Sequence, residues 1–145
     1  MTSVARKLTL PDRPLGVAVA HTSVLVGLEA HAISVEVTAS RGPAFFQLVG
    51  LAEAAVREAR VRVATALARL GVLLDEHAIT VNLAPADLKK RGTALDLALA
   101  LGVLGALGKL PANALHGVLV LGELSLEGQL RPVRGVLPAI EGARL

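Results

Sequence analysis

The sequence predicts an α+β domain, a mixed sheet with helices packed on one face. The chain opens on period-two alternation, through Val24, Val26 and Leu28 and then Ile33, Val35 and Val37, the pattern of half-buried strands. One apolar stripe at helical spacing follows over residues 52–70. After another alternating segment comes a helix over 95–107 that is apolar almost all round, which places it in the interior. Strands first, then strands and helices in turn, with hairpins at both ends, is the order of an α+β fold.

Residues 1–16 are mixed in charge, hold Pro11 and Pro14, and read as an N-terminal extension, with the domain proper over 17–145. In the first strand Val24, Val26 and Leu28 alternate with Leu25 and Gly27. After a break at Ala30-His31, Ile33, Val35 and Val37 alternate with Ser34, Glu36 and Thr38. Ser40-Arg41-Gly42-Pro43 is a turn cluster, and Phe45 to Val49 a third short strand. In the helix that follows, Ala52, Val56, Ala59, Val63, Leu67 and Leu70 form the stripe, and Glu53–Arg57 and Glu58–Arg62 are i,i+4 pairs with the acid first. Gly71 stands where a left-handed residue closes a helix. Ile79, Val81 and Leu83 give a fourth strand ending at Pro85.

Thr93-Ala94-Leu95-Asp96 has the form of a capping box at the start of the buried helix. Gly102, Gly105 and Gly108 lower that helix's intrinsic propensity and suit close packing against a neighbour. Val118 to Leu121 and Glu123 to Leu126 read as strand, Glu127-Gly128 as a tight turn, and Gln129 to Arg131 as the return strand. Val136 onward reads as a helix that Leu145 interrupts, as a cut through a longer protein would.

The composition, 53% hydrophobic but 1% aromatic, argues for a packed core built from Ala, Val and Leu. With two Phe, no Trp and no Tyr, the chain lacks the stacking platforms of single-strand nucleic-acid binders. The formal charge is +3, yet Arg6, Lys7 and Arg13 against Asp12 carry most of it. The nearly neutral body exerts no general pull on a polyanion, so any electropositive site is local. Absence of Cys rules out disulfides and thiolate metal sites. Mean hydropathy is positive, but the longest charge-free stretch, Pro14 to Leu28, is short for a membrane span and holds His21, Thr22 and Ser23. Basic residues ahead of that stretch and the small-x-small Ala30-His31-Ala32 sketch a signal peptide. The strand reading accounts for the same residues.

No G-x-x-x-x-G-K-[ST] occurs, and Arg91-Gly92-Thr93 is the nearest approach to a phosphate loop. His21, His31, His77 and His116 are scattered without metal-ligand spacing, and Asp75-Glu76-His77 reads as a solvated turn. Asp96, a conceivable catalytic carboxylate, is accounted for by the cap. Two basic clusters remain: Lys89-Lys90-Arg91 before the buried helix, and Arg131 with Arg134 after the last hairpin. Loop charge is commonly no more than solvation. The functional alternative is a patch on a phosphate backbone or an acidic neighbouring subunit.

Several blocks resemble, in order, the magnesium-chelatase-like AAA+ proteins of the ComM/YifB type. They are Val26-Gly27-Leu28-Glu29-Ala30-His31 with Val35-Glu36-Val37, and Phe46-Gln47-Leu48-Val49-Gly50-Leu51 with Ala55-Val56-Arg57-Glu58. The run from Ile79 to Leu88, ITVNLAPADL, is the most distinctive. Leu95-Asp96-Leu97-Ala98-Leu99-Ala100, and then Leu121 to Leu126 through Arg131 to Pro138, complete the set. The resemblance covers about residues 17–145. It implies a fold of the ribosomal-protein-S5-domain-2 type, shared with the Lon protease domain, followed by a AAA+ ATPase module whose Walker motifs lie beyond Leu145.

For the ComM branch the resemblance further implies hexameric, ATP-driven DNA helicases that promote branch migration during natural transformation, located in the cytoplasm. ATP and Mg are then cofactors of the full-length protein and none belongs to this chain. Its partners are its own AAA+ module, like subunits and DNA, with no membrane. The kinship with Lon raises the rival of a Ser–Lys peptidase. In the matching stretches, Gly92 to Asp96 puts Ala94 at the serine position, and Arg134 to Leu137 puts Leu137 at the lysine position. Both halves of the dyad are missing, and a hydroxyl without an adjacent base is a poor nucleophile. The expected domain is therefore non-catalytic, with a basic patch of Lys89, Lys90, Arg91, Arg131 and Arg134 where the peptidase site would be. Two alternatives are an oligomerisation module and a partner domain of a chelatase-type metal-insertion machine; nothing in these residues suggests metal or porphyrin binding.

Overall fold

A computed structural model describes residues 14–143. Four strands form the main sheet: β1 (Pro14–Val26), β2 (Glu29–Arg41), β3 (Phe45–Val49) and β4 (His77–Ala84). Their spatial order is β1-β2-β4-β3, with β2 antiparallel to both β1 and β4 and β3 parallel to β4. A parallel pair needs a crossover, and helix α1 (Ala54–Arg69) supplies it. Helix α2 (Asp96–Ala106) follows β4. The two-residue strands β5 (Glu123–Leu124) and β6 (Leu130–Arg131) make a small hairpin, and helix α3 (Val136–Gly142) ends the described chain. The fold is thus α+β, with a mixed sheet and three helices.

Alternation decides which sheet face is dry. Ala20 and Val24 of β1, Ile33, Val35, Val37 and Ala39 of β2, and Ile79, Val81 and Leu83 of β4 are buried, while Glu36, Thr38 and Thr80 between them face solvent. Against the dry face lie Val56, Ala59, Val63, Ala66 and Leu67 of α1, with Ala98, Leu99, Val103 and Ala106 of α2. The core is aliphatic, as the composition predicts, with Phe46 packed at its margin. Helix α2 lies very close to the sheet: a Cβ on Gly102 would come within 2.7 Å of Val37 Cγ2, and one on Gly105 within 2.8 Å of the Ala18 Cβ. Gly108 has a different task. Like Gly71 after α1, it takes a positive φ and closes its helix, with paired bonds Gly108 N–H to Gly105 O and Lys109 N–H to Leu104 O, the Schellman arrangement.

Every expected helix and main strand is present, but α1 spans 54–69 rather than 52–70, Glu53 reaches Arg91 rather than Arg57, and α3 closes at Gly142 rather than running on to Leu145. There are four further corrections. The first hairpin turns at Gly27-Leu28, with Val26 paired to Glu29, so Ala30 and His31 are already in β2. Val118 to Leu121 is no strand: it makes one bridge, His21 to Leu119, and one bond, Val120 N–H to His21 O at 2.8 Å. The Thr93–Asp96 capping box does not form, because α2 begins after Leu95 with no side-chain cap and Asp96 turns inward. β1 already starts at Pro14, inside the expected extension; that extension's remaining residues, 1–13, lie outside the described residues.

Candidate functional site

Two loops meet beside β1 to form a cleft of about 500 Å³. The 91–94 loop contributes Arg91, Gly92, Thr93 and Ala94, and the segment after β6 contributes Pro132 to Gly135, with Ser23 to Leu25 and Leu121 as the remaining walls. The lining therefore holds two guanidiniums, two hydroxyls and no lysine, histidine or carboxylate. Each arginine is held from behind. Gly135 precedes α3 with its backbone against Leu25, so close that an added Cβ would be 2.6 Å from Leu25 Cδ1, and Arg134 is brought to β1 with it. Arg91 follows Lys90, whose N–H donates to Leu51 O at 3.0 Å and whose carbonyl accepts from Glu53 N–H at 2.9 Å.

The five basic residues expected to form one patch separate into three groups. Arg91 and Arg134 line the cleft. Lys89 and Arg131 are exposed but outside its lining, Arg131 standing opposite Glu123 in the β5–β6 pair. Lys90 is fully buried and cannot belong to a surface patch. Its side chain threads inward and its Nζ donates to the Pro85 carbonyl; burial pushes its pKa down, while Asp87 opposes the shift. Arg91 has a contact of 3.7 Å to Glu53 with both groups exposed, an arrangement of little strength. Among the described residues no ion pair involves Arg134. Ala94 lies in the cleft wall, whereas Leu137 projects from α3 outside the lining and is two-thirds exposed.

Asp96 is not in the cleft. Fully buried, it accepts two bonds from Arg62, 2.7 Å from Nε and 2.9 Å from Nη2, and a third at 3.0 Å from the Leu124 N–H. The pair ties α1, α2 and β5 together. The Arg62 guanidinium is held charged above its ordinary value, chiefly by the hydrogen bond to Asp96 and against the cost of its own burial. Sequence reasoning missed Arg62. The available signal was Asp96 itself, the one charge on an otherwise apolar helix, which needs a buried partner. Among the described residues no group of three or more His, Cys, Asp or Glu could hold a metal, and no helix is long and apolar enough to cross a membrane.

This α+β domain, with a basic cleft where loop meets strand, belongs to the magnesium-chelatase family: the family of "Subunit ChlI of Mg-chelatase" matches residues 35–145. Within it the chain is similar to the competence protein ComM of Haemophilus influenzae, at 42% identity over 130 residues, covering 90% of this chain and 26% of that protein. YifB of Escherichia coli is 42% identical over 123 residues, covering 85% and 24%. Lon protease 2 of Bacillus subtilis is 28% identical over 126 residues, covering 77% and 22%. The chain thus spans about a quarter of the length of these relatives.

Proposed function

We propose that this chain is a non-catalytic domain of a chelatase-like AAA+ ATPase, and that its Arg91–Arg134 cleft is the contact through which it meets a phosphate backbone. The observation that carries the reading is the convergence of two guanidiniums from separate loops in a cleft that offers no proton acceptor to its two hydroxyls. Two fixed positive charges suit a polyanion, and a hydroxyl without a base does not suit acyl transfer. The β-β-β-α-β-α order of the main elements agrees with the ribosomal-protein-S5-domain-2 type that the family resemblance implies, and the Lon likeness points the same way. In this reading ATP and Mg act in a module outside this chain. The working form is a cytoplasmic hexamer that acts as a DNA helicase in branch migration during natural transformation, as the family resemblance implies.

The test uses the full-length protein with Arg91 and Arg134 both changed to Ala, and as comparison Lys89 and Arg131 both changed to Ala. Removing two phosphate contacts lowers the slope of log affinity against log salt by about 2. The cleft variant should show that loss and the comparison variant a smaller one. An unchanged slope and affinity in the cleft variant defeats the reading. One observation favours a second reading, an assembly surface: Leu126, Leu130, Val136, Leu137 and Ile140 are all about half exposed or more around β6 and α3. An assembly defect on changing Leu137 and Ile140 to Ser, with the salt slope intact, would select it.

A further inference from the structure

The two edges of the main sheet are not alike. β1 carries Pro14 and a register shift beside Gly16, and at its middle, at His21, it is bonded by Leu119 and Val120. These are ordinary ways of closing an edge to strangers. β3 has none of them. Its sequence, Phe-Phe-Gln-Leu-Val, holds no charge and no proline, and its five-residue register with β4 is unbroken. Among the described residues no backbone hydrogen bond reaches residues 45–49 from any element but β4. Alternate N–H and C=O groups of β3 therefore point away from β4 without a partner.

A trough runs beside this edge. One depression, of about 580 Å³, lies between Phe45 to Leu48 and the first turns of α1, with Arg57, Glu58 and Arg60 in its lining. A second, also of about 580 Å³, continues from Phe45, Phe46 and Arg60 to Leu73 and Asp75. The two share Phe45, Phe46 and Arg60. Both aromatic residues of the whole chain are thus placed at one edge, and Phe45 is half exposed. The helix wall carries Arg57 and Arg60 with the exposed Glu58 between them. Arg57 and Arg60 are exposed and take part in no ion pair among the described residues, while the Glu58 carboxylate is turned toward Arg62 at 3.8 Å. Asp75 is the one carboxylate at the far end.

We infer that the β3 edge is a docking site for an extended acidic peptide from a partner protein, which adds to the sheet as a fifth strand. Unpaired main-chain groups supply the register, Phe45 takes an apolar side chain, and Arg57 with Arg60 takes carboxylates on the side chains that alternate with it. The inference concerns a surface distinct from the Arg91–Arg134 cleft and is independent of any DNA contact.

The probe is a synthetic peptide alternating valine and glutamate, long enough to span β3 and fluorescently labelled, titrated with the chain while anisotropy and amide chemical shifts are recorded. Three comparisons accompany it: the same peptide with lysine for glutamate, the acidic peptide N-methylated at alternate residues, and the Arg57→Ala/Arg60→Ala variant. The expected result is saturable binding of the acidic peptide, with shifts concentrated at residues 45–49. Binding should fall about tenfold in the double variant, the size of two exposed ion pairs lost together, and be lost for the lysine and N-methylated peptides. Equal binding of the N-methylated peptide refutes strand addition, and indifference to Arg57 and Arg60 refutes the charge selection. No saturable binding, or pairing of β3 with β3 of a second copy in sedimentation, overturns the proposal outright.

Discussion

Asp96→Ala tests the reading of the interior most directly. The carboxylate is fully buried, accepts three hydrogen bonds, and among the described residues is the only acidic partner within 3 Å of Arg62. Removing one member of a buried pair costs about 3–5 kcal/mol, because the other is left uncompensated. Arg62 is the less buried member, its side chain partly reaching solvent and Glu58 standing 3.8 Å away, so its charge can be rehydrated. The expected loss is therefore at the lower end, about 3 kcal/mol, or roughly 10 °C in Tm for a domain of this size. Urea unfolding of the wild type, of Asp96→Ala, and of the cycle Arg62→Leu, Asp96→Leu and Arg62→Leu/Asp96→Leu gives the assay. The double variant should recover part of the loss, since an apolar pair replaces the buried ion pair at little cost while the Leu124 N–H is left without its acceptor. The reasoning fails if Asp96→Ala loses less than about 1 kcal/mol, or if the effects of the two single variants of the cycle simply add.

Two further outcomes follow from the interior. Burial lowers the Lys90 pKa from its usual 10.5. Between the native and the unfolded value only the unfolded chain holds the proton, so the burial penalty is full below the native pKa and stability rises with pH through that window. Lys90→Met should lack this rise, and parallel denaturation of the two proteins from neutral pH to about pH 10 should show the wild type gaining on the variant; a constant difference contradicts the burial argument. At Gly102, an alanine gains about 1 kcal/mol of helix propensity but meets Val37 Cγ2 at 2.7 Å, and overpacking of that kind costs about 1–3 kcal/mol. Gly102→Ala should destabilise, and its added cost should be smaller when Val37 is already Ala; a stabilised single variant means that α2 does not sit as described.

What the sequence made legible is what local pattern determines. Alternation located β2 and β4 because every second side chain meets the helices, and the stripe from Val56 to Leu67 located α1 for the same reason. Gly27-Leu28 escaped notice as a turn because it lies inside an apolar run whose alternation continues across it. Thr93 to Asp96 misled because a capping box and a buried ion pair place an acid at the same spacing, and only Arg62, 34 residues away in sequence, distinguishes them. The run Lys89-Lys90-Arg91 reads as a uniform solvated loop. That its middle member points inward depends on Leu51, Glu53 and Pro85, which no local pattern brings near it. The cleft is long-range in the same sense: Arg91 and Arg134 meet only because α2 and the β5–β6 hairpin lie between them in the chain and fold back to β1.

Lys90, lost to the patch as a charge, has a consequence for the cleft as an anchor. Its main chain bonds Leu51 and Glu53 on one side, its side chain bonds Pro85 on the other, and the loop between β4 and α2 is thereby pinned one residue before Arg91. Glu53, fixed by the Lys90 carbonyl, is the residue whose carboxylate reaches Arg91. On the opposite wall Gly135 is wedged on Leu25 one residue after Arg134. Each guanidinium therefore projects from a backbone fixed by its neighbour, and a site fixed in advance loses less ordering entropy when a ligand arrives. A surface-charge account of the cleft would weigh Lys90 equally with Arg91. In this structure the two differ in kind: loss of Arg91 removes a contact, whereas loss of Lys90 removes one of the ties that hold that contact in place.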